Sequence, residues 1–233
     1  MSPARRAPKA LTLEALLRQA PWFAQLDADA QRQVLRDASE QPVAKGAPVG
    51  WRGEVTRFWY GVLEGLFKWS VVGPDGREVT LGGQSVGSWF NEATLLRGTP
   101  READVVALRD SRVAILPYDT FDWLRRTQPG FNEFLLQQVS ERLLWLMGDY
   151  AAHRLLDTDR QVARALCGLA SPLQNPHGET RLQLSQEELA HLATVSRQRC
   201  NRALARLKDQ GLVRIEYGGV TLLDLPGLQR FST

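Results

Sequence analysis

LSQEELAHLATVSRQRCNRALARLKDQGL, residues Leu184 to Leu212, is a stretch in which two helices and the turn between them can be read from side-chain chemistry. Ser185 with Glu188 three residues on has the capping-box pattern, in which each side chain satisfies a backbone donor left over at a helix start. A helix is therefore expected to begin near Gln186, with Leu189, Ala190 and Leu192 as its apolar side. Thr194-Val195 makes a tight connection, and Ser196 is a second N-cap candidate. The next helix is expected to start at Arg197 and to carry Cys200, Ala203, Leu204 and Leu207 at helical spacing. Gly211 then supplies the residue that tolerates a left-handed C-terminal turn. This is the punctuation of a helix-turn-helix.

The second helix leaves Arg197, Gln198, Arg199, Asn201, Arg202, Arg206 and Lys208 exposed, with no acidic residue before Asp209. Arginine can pair bidentately with guanine and an amide with adenine, and the first turn of a recognition helix reaches base edges in the major groove. Arg197, Gln198 and Arg202 are thus the expected base readers. Ser185, Ser196, Arg199 and Lys208 are better placed for phosphates, which position a protein without carrying sequence information directly. Double-stranded DNA is the implied partner. Leu212 to Ile215 and Val220 to Leu223 follow as two short strands joined through Tyr217-Gly218-Gly219, a hairpin that completes a winged helix-turn-helix. Arg214 is the only cation of this wing, which is expected to pack more than it binds.

At 233 residues the chain leaves about 150 residues outside the winged unit, enough for at least one further domain. The net charge of +3 is modest for a nucleic-acid binder, so the basicity has to be local. Cys167 and Cys200 are far apart, which excludes a disulfide framework and a paired-cysteine metal site and fits a reducing cytoplasm. No apolar run approaches the ~18 residues of a membrane span, and the first residues, MSPARRAPKA, read as a basic tail rather than a signal peptide. A cytoplasmic protein is expected.

From about Gln41 to Pro117 short aromatic or β-branched runs alternate with glycine. Phe58 to Leu63, Leu66 to Val72, Arg77 to Leu81, Asp104 to Leu108 and Arg112 to Leu116 are the expected strands, and Gly73-Pro74-Asp75-Gly76 is a turn between two of them. Leu13 to Leu17, Asp27 to Ser39 and Thr120 to Arg126 read as short flanking helices. After Pro129-Gly130 a long helix begins whose Leu143-Leu144-Trp145-Leu146-Met147 segment offers apolar groups nearly all round. A helix that covers only its own sheet needs a single stripe. One face is therefore read as covering the β-domain and the other as meeting the same helix of a second subunit. Asp157-Thr158-Asp159 interrupts the pattern and can cap a further helix, Arg160 to Leu169. The expected fold is α+β: a tail over 1–12, an antiparallel, jelly-roll-like β-roll with flanking helices over 13–128, a central dimerisation helix over 129–156, and the winged domain over 157–233.

In this order of elements, and most specifically in TVSRQRCNRALARLKDQGLV and GSWFNEATLLRGTPREADVVALRDSRVAILP, the chain resembles the CRP/FNR family of bacterial transcription regulators. The resemblance covers nearly the whole chain. It implies a cyclic-nucleotide-binding-like sensor domain, a homodimer on a roughly palindromic operator, RNA polymerase as a further partner where the protein activates, and a small-molecule or nucleotide effector. In cyclic-AMP-responsive members a Gly-Glu pair and an Arg followed by Ser or Thr hold the ligand, and the matching positions here are Asn91-Glu92 and Arg101-Glu102. Glu92 and Arg101 keep the ribose and phosphate partners. Asn91 narrows the backbone approach that glycine allows, and Glu102 sets a carboxylate where a hydroxyl would donate. Leu146-Met147 stands where Thr-Ser meets the purine. Binding of cyclic AMP in the usual way is not expected. Two alternatives stay open: Glu92 and Arg101 contact another effector, with Trp89 and Phe90 lining its pocket, or they pair with each other inside a roll that serves only dimerisation or protein interaction.

The family's other sensors are tested by the residue inventory. An iron-sulfur sensor needs cysteines near the N-terminus, and Cys167 is the first in the chain. Haem needs an axial ligand in reach, yet His153, His177 and His191 all follow the β-roll. The same absence argues against a metal-dependent β-roll enzyme, and no nucleophile elbow or phosphate loop is found. No metal site and no catalytic residue are expected.

Overall fold

The computed structural model describes residues 11–155, 157–171 and 180–232. Three short helices open the chain, α1 (Leu13–Gln19), α2 (Pro21–Ala24) and α3 (Ala28–Asp37). Strands β1 (Ser39–Val43), β2 (Pro48–Gly50), β3 (Phe58–Glu64), β4 (Leu66–Val72), β5 (Glu78–Ser85) and β6 (Trp89–Phe90) follow. Helix α4 (Glu92–Arg97) then precedes β7 (Asp104–Ala107) and β8 (Ser111–Pro117). Helices α5 (Tyr118–Thr127), α6 (Pro129–Leu155) and α7 (Thr158–Leu169) lead into β9 (Arg181–Leu182), α8 (Gln186–Leu192) and α9 (Arg197–Asp209). The chain closes with β10 (Val213–Glu216), β11 (Gly219–Leu222) and α10 (Leu225–Phe231).

The roll is two facing four-stranded antiparallel sheets, with strand orders β1-β8-β3-β6 and β2-β7-β4-β5. Tyr60, Val62, Phe67, Phe90, Val105 and Val113 fill the space between them. A second core lies outside the first sheet, where α1, α2, α5 and α6 close over Trp22, Trp59, Trp89, Phe121 and Phe131. Trp22 meets Trp89 edge to face at 5.0 Å, and Trp59 lies 4.5 Å from Trp89. Such ring pairs contribute about 0.5–1.5 kcal/mol beyond their buried area. Leu11 packs against this core and Thr12 caps α1 by accepting from Ala15 N; the rest of the expected tail lies outside the described residues.

Asp27 caps α3 and Asp157 caps α7, each side chain accepting backbone N–H groups of the first turn. Helix α6 runs unbroken for 27 residues. Its inward side carries Phe131, Leu135, Gln138 and Arg142, all buried, whereas Leu136, Leu143, Leu144, Met147 and Tyr150 are each more than half exposed. Trp145 is set between the two domains, its ring against Gly82 of β5 and Gly168 of α7. The third core joins α7, α8, α9, the wing and α10, and it also takes in Leu66 of the roll.

Candidate nucleic-acid interface and effector cavity

Helix α8 begins with a complete capping box: Ser185 Oγ accepts from Glu188 N at 3.2 Å, and Glu188 Oε2 accepts from Ser185 N at 2.6 Å. Thr194, at φ 54°, turns the chain, and Ser196 Oγ accepts from Arg199 N at 3.3 Å to start α9. Cys200, Ala203, Leu204 and Leu207 are buried against α7 and α8, and Gly211 ends the unit at φ 72°. Burial pushes the Cys200 thiol up to about 11.

On the opposite side Arg197, Gln198, Arg199, Arg202 and Lys208 are exposed. Among the described residues none of these side chains has a hydrogen-bond or ion-pair partner. They form an uncommitted cationic face with an amide in its first turn. Two expected members differ. Arg206 is held by an ion pair to Asp159 of α7, and Asn201 is half-buried with Oδ1 shut off from solvent. Ser185 and Ser196 are exposed, but both hydroxyls already serve as helix caps. At the wing, Arg214 and Arg181 both pair with Glu216 at 3.0 Å, and Arg214 and Thr221 hold that carboxyl below the usual carboxylate range. Tyr217 stands fully exposed at the wing tip.

The second site is a cavity of about 260 Å³ in the roll, bounded by β4, β5, the β6–α4 junction and α6. Asn91 adopts the left-handed conformation, φ 87°, that glycine favours, and so retains the backbone path at the start of α4. Its Nδ2 donates to Phe58 O at 2.7 Å, and its Oδ1 accepts from Arg101 Nη1 at 3.1 Å. Arg101 Nη2 donates to Thr56 Oγ1 at 3.2 Å, and the guanidinium lies 5.5 Å from the Tyr60 ring centre. Burial lowers the pKa of Arg101, with Tyr60 and Glu54 opposing the shift.

Glu92 is 1% exposed, and its partner is Arg142 of α6, with Nε 3.2 Å from Oε1 in a contact that lacks hydrogen-bond alignment. Of the two alternatives for Glu92, pairing with Arg101 does not form, and the carboxylate meets Arg142 instead, because the inward stripe of α6 delivers a guanidinium to it. Arg142 also donates from Nη2 to Trp89 O at 3.0 Å and lies 4.4 Å over the Trp69 ring. Burial lowers its pKa and Glu92 raises it. Glu92 Oε2 and Arg142 Nη1 are buried without a hydrogen-bond partner among the described residues.

Only some of the other expected effector residues line the cavity. Trp89 does not line the cavity, since successive strand residues face opposite ways: Phe90 faces the cavity and Trp89 the aromatic core. Met147 lies on the outward face of α6, 61% exposed, while Leu146 lines the cavity. Glu102 lines the cavity, exposed and 3.9 Å from Arg97, where solvent screens its charge. Arg142, Trp69 and Leu81 were not anticipated at this site. The available signal was Arg142 in helical step with Phe131, Leu135 and Gln138, a charged residue on an otherwise inward stripe.

Among the described residues no group of side chains could hold a metal ion, and no helix is long and apolar enough to cross a membrane. His177 lies outside the described residues.

Residues 40–128 match the model of the cyclic nucleotide-binding domain, and residues 160–231 that of the Crp-like helix-turn-helix domain. The chain is 28% identical over 195 residues to the CRP-like cAMP-activated global transcriptional regulator of Mycobacterium tuberculosis, covering 82% of this chain and 87% of the relative. It is 30% identical over 178 residues to the transcriptional regulator SdrP of Thermus thermophilus, covering 74% and 83%. Among solved structures, the c-di-GMP responsive global regulator CLP of Xanthomonas campestris superposes with a TM-score of 0.60 at 25% identity, over 84% of this chain and 99% of that one. A β-roll sensor joined by a long helix to a winged helix-turn-helix defines a DNA-binding transcription regulator. The chain belongs to the CRP/FNR family.

Proposed function

We propose that this regulator works as a homodimer joined along α6, places two copies of α9 in successive major grooves of a roughly palindromic operator, and answers to a small anionic effector held in the roll. The uncommitted face of Arg197, Gln198, Arg199 and Arg202 carries the DNA reading, since unpaired cations and an amide at the start of a helix suit phosphate and base edges. The exposed Leu136, Leu143, Leu144, Met147 and Tyr150 supply the apolar seam. RNA polymerase is the further partner where the regulator activates, and the reading implies a cytoplasmic protein.

Support for an effector comes from Glu92 Oε2 and Arg142 Nη1, a buried acceptor and a buried donor without hydrogen-bond partners among the described residues, on two residues that line the cavity. A ligand offering a hydroxyl to the first and an anionic oxygen to the second and to Arg101 would satisfy them. Cyclic AMP in its usual pose fits less well: Leu146 and the outward Met147 offer no hydroxyl to a purine, and Asn91 already occupies Arg101. Two of the proteins compared are named for different nucleotides, cAMP and c-di-GMP, so nucleotide identity does not follow from the fold. Titration of the full chain with cyclic AMP, cyclic di-GMP and inorganic phosphate, read by melting temperature and operator affinity, tests this. An effector raises both together. Silence to a wide panel of anions favours the other reading, a constitutive regulator whose roll serves dimerisation or protein contact.

A further inference from the structure

The roll and the DNA-binding domain are fastened at a point away from the cavity. Arg109, in the turn between β7 and β8, donates from Nε and Nη2 to the two carboxylate oxygens of Glu188 at 2.7 Å each, and Nη2 also donates to Gln183 O at 2.8 Å. The pair is largely screened from water, with side-chain exposures of 29% and 13%. Bidentate guanidinium–carboxylate pairs are the most directional ion contacts a protein makes. Glu188 is also the residue whose Oε2 accepts from Ser185 N in the α8 capping box. A residue of the sensor domain therefore holds the carboxylate that starts the helix-turn-helix. Beside it, a Cβ on Gly83 of β5 would meet Leu192 of α8 at 3.0 Å, so the sheet and α8 are in close apolar contact.

All of these contacts grip the rear of the helix-turn-helix. The outward face of α9 stays open to solvent. We infer that Arg109 is a positioning residue for DNA binding: acting through Glu188, it fixes α8 and hence α9 against the roll in the orientation that engages the operator. It supplies orientation and makes no contact with DNA. The inference rests on α9 being the reading helix, which Arg197→Ala tests separately.

Operator binding by the full-length protein decides it, using duplex recovered by random-oligonucleotide selection. Arg109→Ala should weaken operator binding about tenfold, within the range usual for coupling between sites, with an unchanged salt slope. Arg109→Lys, which retains one charged contact to Glu188, should recover part of the loss. Glu188→Gln keeps an acceptor for the capping box, and in that background Arg109→Ala should cost less than about a further twofold. Wild-type or tighter binding by Arg109→Ala overturns the inference. So does a loss of equal size in both backgrounds. A salt slope reduced by about one, with equal loss on random DNA, would instead make Arg109 a direct phosphate contact.

Discussion

A Cβ placed on Gly168 would lie 2.8 Å from Nε1 of Trp145, closer than any side-chain atom can settle without displacing the indole. The far edge of the ring lies close to the backbone of Gly82, where a Cβ would meet it at 3.2 Å, so the indole is bounded on that side as well. Trp145 is therefore a spacer whose thickness sets the distance between the sensor sheet and α7. Gly168→Ala gains up to about 1 kcal/mol of helix propensity but incurs an overpacking cost of about 1–3 kcal/mol. Net destabilisation is expected. Chemical denaturation of the full chain measures it, and a variant as stable as the parent would show that the spacer yields.

Arg197→Ala should lose discrimination at one guanine of each half-site, at about 1–3 kcal/mol. Lys208→Ala should instead weaken all sequences alike and lower the salt slope by about one. Fluorescence anisotropy on selected and scrambled duplexes across a salt series separates the two. Equal losses on both duplexes for Arg197→Ala would remove α9 from its reading role.

An amide at Gln198 pairs best with adenine, whereas a carboxylate accepts from cytosine. Gln198→Glu should move the selected operator from adenine to cytosine at one position per half-site. Sequencing the products of parallel selections checks this, and identical products would make the side chain silent.

Removing the guanidinium of Arg142 leaves Glu92 charged, buried and alone. Arg142→Met should destabilise the sensor by about 3–5 kcal/mol, the usual cost of orphaning one member of a buried pair. Arg142→Met with Glu92→Gln should restore much of that. Denaturant midpoints of the single and double variants give the coupling, and additive losses would show that the pair carries no mutual stabilisation.

The Cys200 thiol, held up to about 11 by burial, should resist alkylation at pH 8 in the folded protein and react freely in denaturant. Since the folded value exceeds the ordinary one, its contribution to stability is complete below about pH 8.5 and falls as pH rises toward 11. Mass spectrometry after a short iodoacetamide pulse reports the accessibility. Rapid native labelling of Cys200 would show that the α9 core opens readily.

The parts legible in the sequence were those with local causes. Ser185 with Glu188, Ser196, Thr194 and Gly211 act within a few residues of themselves, and α8 and α9 came out where those residues set them. The strands with regular apolar runs were found, Leu66–Val72 with both ends as expected. β1 was not, because Ser39-Glu40-Gln41-Pro42 carries no buried alternation and owes its strand form to pairing with β8. α4 was missed because it starts from a left-handed Asn91 rather than a recognisable cap. The candidate cavity was half legible. Asn91, Glu92 and Arg101 are near in sequence, but Glu92 and Arg142 are 50 residues apart, and only the packing of α6 on the roll brings them together.

The exposed Leu143, Leu144, Met147 and Tyr150 carry a last consequence. On the proposed dimer, covering them makes assembly a second-order process, so the fraction of paired chains rises with copy number below the dissociation constant. Operator occupancy would then respond to gene dosage more steeply than in proportion, with no effector involved. The width of one helix's apolar face thus becomes a setting for how sharply the regulator responds to its own abundance.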